Sequence, residues 1–205
     1  MALHHCEVSL PMIGDVLCLL RDQLDSFLRT ATPEPDDGAA DARVQLIDGA
    51  KADPIEFRLN AISLLLVNIE QETSQRSADP YLRGPGDGNL RKLQPEIQLN
   101  LKVLFVARFK VYEQGLNQLG LVIRFLQQHR ALEPGNAPGW PAQIDKLVLE
   151  LVTLPQGEQN EIWSALRVSY QPSVLFRVRM VVFRDADGAA VPQIGQTRVR
   201  VAQRT

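Results

Sequence analysis

The sequence has little of what enzymes and small secreted domains rely on. Only two cysteines, Cys6 and Cys18, occur in 205 residues, too few for a disulfide framework, so a hydrophobic core must hold the fold and a reducing cytoplasm is the expected place of synthesis. Histidines number three. His4 and His5 with Cys6 could offer metal ligands, but a fourth partner is missing nearby and chain ends fray, which leaves zinc short of a site. An excess of one charge is also absent: 22 lysines and arginines face 24 acids, for a net charge of -2. Phosphate binding rests on an excess of cations, so nucleic acid is not an expected partner. No stretch of about 18 uninterrupted apolar residues occurs, and MALHHCEVSLPMIGD lacks a basic start and a long apolar run. Neither a membrane span nor a secretion signal is expected. There is no internal repeat and no domain-sized shift in composition. At this length one domain can bury roughly 70% of its unfolded surface, enough for a core without staples.

What is present is periodicity. Ile13, Val16, Leu17, Leu20, Leu24, Phe27 and Leu28 recur at spacings of three and four, which predicts an amphipathic helix that stops near Thr30, before the prolines of ATPEPDDGAAD. RVQLID, with Val44 and Leu46, reads as a short strand. From Ile62 to Ile69 both faces are apolar, which suits a central strand covered on both sides. Ile97 to Val106 alternates with Gln98, Asn100 and Lys102, a strand that begins half exposed and ends buried. Between these two strands, Gln71 to Gln94 is polar and rich in glycine, including Gly84, Gly86 and Gly88; it is too long for an ordinary hairpin and should project from the sheet. Tyr112, Leu116, Leu119, Ile123 and Leu126 mark a second long helix, in which Gly115 and Gly120 would let another backbone come close. Ile144, Leu147, Val148 and Leu151 follow at helical spacing, and Gln156 to Trp163 reads as a short helix entered through Pro155. Val174 to Val182 alternates with Arg177 and Arg179, and Thr197, Val199 and Val201 alternate with Arg198 and Arg200. RDADGAAVPQ between them reads as turn chemistry. The fold class expected is therefore α/β (α+β): one domain, with a mainly antiparallel or mixed sheet covered by helices on one side.

Candidate chemistry is thin. Cys18 lies on or beside the apolar face of the first helix and reads as a small buried hydrophobe. His129 sits where it would meet the negative end of a helix dipole. GPGDGNLRK has no lysine-serine or lysine-threonine pair and no helix opening after it, so it reads as a loop and not a phosphate cradle. Asp185, Asp187 and Gly188 imitate the start of a calcium loop, but Ala190 stands where the turn glycine belongs and Gln196 where the closing glutamate belongs. Trp163 and Tyr170 read as core aromatics. If the late strands pair, Arg177, Arg179, Arg198 and Arg200 gather into a basic stripe that could dock onto an acidic protein partner. The final strand IGQTRVRVAQRT, carrying Val199 and Val201, either forms a hairpin with Val174 to Phe183 or adds to the sheet of a neighbouring subunit. Arg83 and Arg91, in the projecting insertion, complete the candidate assembly surface. No catalytic, cofactor or metal residues are assigned.

Several blocks in order, MIGDVLCLLRDQLDSFLR, NAISLLLVNIEQE, LNLKVLFVARF with VYEQGLNQLGLVIRFLQQH, IDKLVLELVTLP and EIWSALRVSYQPSVLFRVRM, resemble the cap or tail-terminator family of extracellular contractile injection systems, the phage-tail-like particles of the antifeeding-prophage kind. The resemblance covers roughly residues 12 to 184 and implies a tail-terminator-like fold at 12–184, a flexible N-terminus at 1–11 and a C-terminal turn with a strand or arm at 185–205. It implies a structural protein that forms a ring, expected as a hexamer, on the distal end of the inner tube and sheath, stopping their polymerisation without cofactor or catalysis. Its partners would be further copies of itself and the tube and sheath proteins. Assembly would take place in the cytoplasm, with the particle released afterwards. A role for the further C-terminal domain of longer members is not expected here. The rival readings are a tube or baseplate adaptor of the same particle and a small hydrolase.

Overall fold

In a computed structural model of the chain, the described residues are 13–32, 42–49, 54–73, 91–92, 97–135, 140, 144, 146–183 and 189–190. Helix α1 is Ile13–Ala31, and Val16, Leu19, Leu20, Leu24 and Leu28 are its buried stripe. Thr32 ends it by donating from its N–H and its hydroxyl to the Leu28 carbonyl, at 3.0 and 2.8 Å. Asp25 ties the helix to the sheet: its Oδ1 accepts the N–H groups of Arg43 and Val44 at 2.6 and 3.0 Å, just where β1, Val44–Leu46, begins.

The remaining strands are β2 Ala61–Gln71, β3 Arg91–Lys92, β4 Ile97–Arg108, β5 Ala131–Leu132, β6 Leu147–Val152, β7 Ser173–Phe183 and β8 Ala189–Ala190; α2 is Tyr112–Gln128 and α3 is Gln156–Leu166. Six strands form one mixed sheet in the order β1-β2-β4-β7-β6-β5, and β3 with β8 form a separate pair. β1 runs parallel to β2, and every other neighbour in the large sheet is antiparallel. The centre is β4 and β7, not β2. The first four residues of β2 are buried and its later half is largely exposed, because β1 covers only Ile62 to Leu64 of its outer edge.

The alternation of β4 sorts the core into two. Leu101, Val103, Phe105 and Ala107 face α1 and α2 and share a cluster with Leu24, Leu28, Val122, Phe125, Phe176 and Val178. Leu104 and Val106 face the other way, onto Phe57, Leu175 and Trp163 of α3. Helices thus lie on both faces of the sheet, which corrects the one-sided covering expected from sequence.

Two further expectations change. The Ile144 to Leu151 spacing belongs to a strand: Leu147 and Leu149 are buried in the core while Glu150 lies beside Arg177 of β7. A period of two and a period near 3.6 both accept apolar residues three and four apart, and pairing with β7 decides between them. Ala189–Ala190, expected in a turn, is strand β8 and pairs with Arg91–Lys92 at the end of the insertion. Residues 74–90 of that insertion, with Arg83 and Gly84 to Gly88, lie outside the described residues, as do His4 to Cys6, Asp185 to Gly188 and the final segment with Arg198, Val199, Arg200 and Val201. For the hairpin expected between that segment and Val174 to Phe183, β7 offers no free edge from Leu175 to Arg179, since β4 holds one side and β6 the other.

Candidate assembly surfaces

One half of the α3 face of the sheet carries charge. Arg177 and Arg179 project there from β7, and the expected basic stripe is neutralised in place. Arg179 donates to Glu150 Oε1 at 3.0 Å and to Glu72 Oε2 at 3.1 Å, while Arg177 lies 3.8 Å from Glu150. Lys102 meets Glu70 at 2.6 Å, and Asn100 Nδ2 donates to Glu72 Oε2 at 2.9 Å. The Glu72 side chain, only 9% exposed, sits at the centre of this network. The hydrogen bond and charge of Glu150, helped by Glu72, hold the Arg179 guanidinium above its ordinary pKa against a smaller lowering by burial. Three cations therefore meet three carboxylates, and this cluster carries no excess of positive charge. The more exposed pairs here, those of Glu150, stabilise by about 0–1 kcal/mol each.

The other surface is apolar. The α2 stripe expected from sequence divides: Leu119 and Leu126 are buried together with Val122 and Phe125, whereas Tyr112, Leu116 and Ile123 are exposed. Gly115 contacts the Phe109 side chain, with 3.4 Å left for a Cβ, but Gly120 has open space beside it. Next to Ile123 lies Leu151 of β6, 55% exposed. Between them runs a groove of about 640 Å³ lined by Ile123, Leu126, Leu149, Leu151 and Phe176, with Arg130 and Glu150 also bordering it. Burying one such aliphatic side chain contributes about 1.5–3 kcal/mol, more than an exposed ion pair, so this surface has the greater capacity to hold a partner.

The remaining sequence candidates fall into ordinary places. His129 closes α2, with Nδ1 2.9 Å from the Phe125 carbonyl, as the helix-end reading expects. Cys18 is half-buried. Trp163 is core, but Tyr170 is exposed and only leans its ring edge on Trp163, with centroids 5.5 Å apart. Arg91 is in β3. Among the described residues no group of three or more histidines, cysteines, aspartates or glutamates could hold a metal ion, and no helix is long and apolar enough to cross a membrane. Sequence reading missed Glu72, Glu150 and the Leu151 groove. Glu150 stood in view as a lone acid within the apolar run LVLELV and Glu72 at the polar end of NIEQE, but their cationic partners lie on another strand.

The family model described as the Pvc16 N-terminal domain matches residues 15–196. Among solved structures, the chain is similar to the PVC sheath/tube terminator of an extracellular contractile injection system in its extended state, at 15% identity and a TM-score of 0.60, covering 96% of this chain and 66% of that one. It is also similar to the cap of the anti-feeding prophage, the AFP tube terminating cap, at 14% identity and a TM-score of 0.55, covering 94% of this chain and 62% of that one. At such identities the likeness is one of fold, and the chain spans just under two thirds of either structure's length. No curated protein matches it in sequence.

Proposed function

This chain belongs to the Pvc16 N-terminal domain family, and we propose that it acts as the cap, or tail terminator, of a contractile injection system. The observation that carries this reading is that 96% of the chain follows the fold of a sheath/tube terminator, with a tube-terminating cap as a second neighbour. The mechanism is steric. A tube or sheath grows because each layer presents an open heterologous surface to the next, and a closed ring that covers the last layer without repeating that surface ends growth. The work requires shape and contact, and no reaction. The proposed ring is a hexamer on the distal end of inner tube and sheath, assembled in the cytoplasm and carried on the released particle. The ion-paired face and the apolar stripe of α2 are surfaces suited to packing against protein.

The test is the length of the particles. Producing cells that lack this chain should yield tubes and sheaths of widely scattered and excessive length in electron micrographs; a normal, uniform length would overturn the cap reading. Light scattering on the purified chain should give six times its 22.9 kDa.

A further inference from the structure

We propose that the groove between α2 and β6 receives Tyr112 of the next copy in the ring, so that opposite ends of α2 meet in a head-to-tail contact. The proposal deepens the ring reading above and rests on it.

Exposure points to the two ends. Of the eight large apolar side chains exposed among the described residues, six fall into two patches. Leu59, Val111, Tyr112 and Leu116 gather at the start of α2, where the Asn60 side chain accepts the Lys110 N–H at 3.1 Å and holds the turn at Leu59 beside the helix. Ile123 and Leu151 flank the groove near the other end. Tyr112 is the most exposed of the eight, at 66%. Its neighbour Val111 is the N-cap of α2 and makes no side-chain hydrogen bond there, although a serine or aspartate at that position would stabilise by about 1 kcal/mol. An exposed valine there suits contact with a protein surface better than contact with water.

The groove suits an aromatic occupant. Ile123, Leu149, Leu151 and Phe176 give it apolar walls, and Gln127 and Arg130 stand at its border. A tyrosine ring laid between those walls with its hydroxyl turned to the border finds an apolar surface for its body and a polar partner for its tip. The chain's own Tyr112 cannot supply it. From Tyr112 to Ile123 the path is one continuous helix, roughly 16 Å along its axis, so the tyrosine must come from another copy.

Charge complements the two ends. Within α2 the acid is Glu113, beside Tyr112, and the cation is Arg124, with Arg130 following at the groove. Among the described residues none of these three enters an ion pair. A docked Tyr112 brings Glu113 to that cationic end, which fixes the orientation more than it adds affinity. A knob at one end and its groove at the other make a heterologous contact, the kind that closes into a ring.

The test uses two full-length variants, Tyr112→Asp and Leu151→Asp. Both positions are exposed, so each variant should melt within a few degrees of the parent. Light scattering is read at about a hundredfold above the concentration at which the parent forms its ring, because a single contact lacks the gain from ring closure. Alone, each variant should be a monomer, since every contact in the ring needs one intact knob and one intact groove. Mixed one to one, they should form a pair of twice 22.9 kDa and nothing larger: the Tyr112 of the Leu151→Asp chain meets the groove of the Tyr112→Asp chain, and the other two ends are broken. A mixture that stays monomeric, or a pair formed by either variant alone, overturns the proposal. If the parent and both variants form the ring, this contact is overturned and the ring stands; a parent that stays a monomer overturns both.

Discussion

Leu101 and Ile123 are both aliphatic and both fall on apolar stripes of the sequence, yet the structure gives them opposite roles. Leu101 is 0% exposed in the middle of β4, and Ile123 is 36% exposed on the outer side of α2. An aspartate at position 101 would place an unpaired charge in the core at a cost of several kcal/mol, a large share of a total stability of about 5–15 kcal/mol. Leu101→Asp should therefore abolish the cooperative thermal transition seen by circular dichroism. Sequence periodicity assigns Ile123→Asp the same fate. Its exposure assigns another: a melting temperature within a few degrees of the parent, but weakened association by light scattering. Equal loss of stability in the two variants would overturn the distinction. Trp163 and Tyr170 teach the same lesson, since both are aromatic and near each other, but only the first is enclosed.

At the scale of the element, β6 is the decisive case, because its residues fit two periods and its neighbours choose one. Its even-numbered residues turn their N–H groups to β7, while Leu149 turns outward to Arg130. A proline at Glu150 would remove a ladder bond inside the sheet and leave its acceptor unmet, a loss of about 1–3 kcal/mol on top of the lost ion pairs. A proline at Leu151 removes only an outward donor, a position that edge strands tolerate. Glu150→Pro should thus lower the melting temperature clearly more than Leu151→Pro does. Glu150→Ala is the control, since it loses the pairs to Arg177 and Arg179 alone, worth about 1 kcal/mol or less each. A helix over 147–152 would instead suffer from both prolines alike, so similar melting curves would contradict the strand.

For the molecule as a whole, the balance of 22 cations and 24 acids is repeated locally on the sheet, where Lys102, Arg177 and Arg179 meet Glu70, Glu72 and Glu150. Such a surface exerts little long-range field, and a partner held on the apolar groove between α2 and β6 would be held by apolar burial. Raising salt from about 50 to 500 mM shortens the Debye length severalfold; the dissociation constant of the proposed ring should change by less than about threefold. A steep salt dependence, as expected of a basic stripe docking onto acids, would show that charges outside this network dominate instead.

The sequence by itself determined the elements whose signal is local. The α1 stripe, the alternation of β4 and β7, the short strand at Val44 and the helix entered through Pro155 all follow from spacing within one segment, and the ordered blocks were enough to indicate the family. Tertiary structure alone decided which strand lies at the centre, that Leu147 to Val152 is a strand, that Ile123 and Leu151 stay outside the core, and that Arg179 is spent on Glu150 and Glu72. Those partners lie 29 and 107 residues away in the chain. Periodicity reports the environment of a residue along its own segment, whereas pairing, exposure and charge neutralisation depend on which distant segments the fold brings beside it.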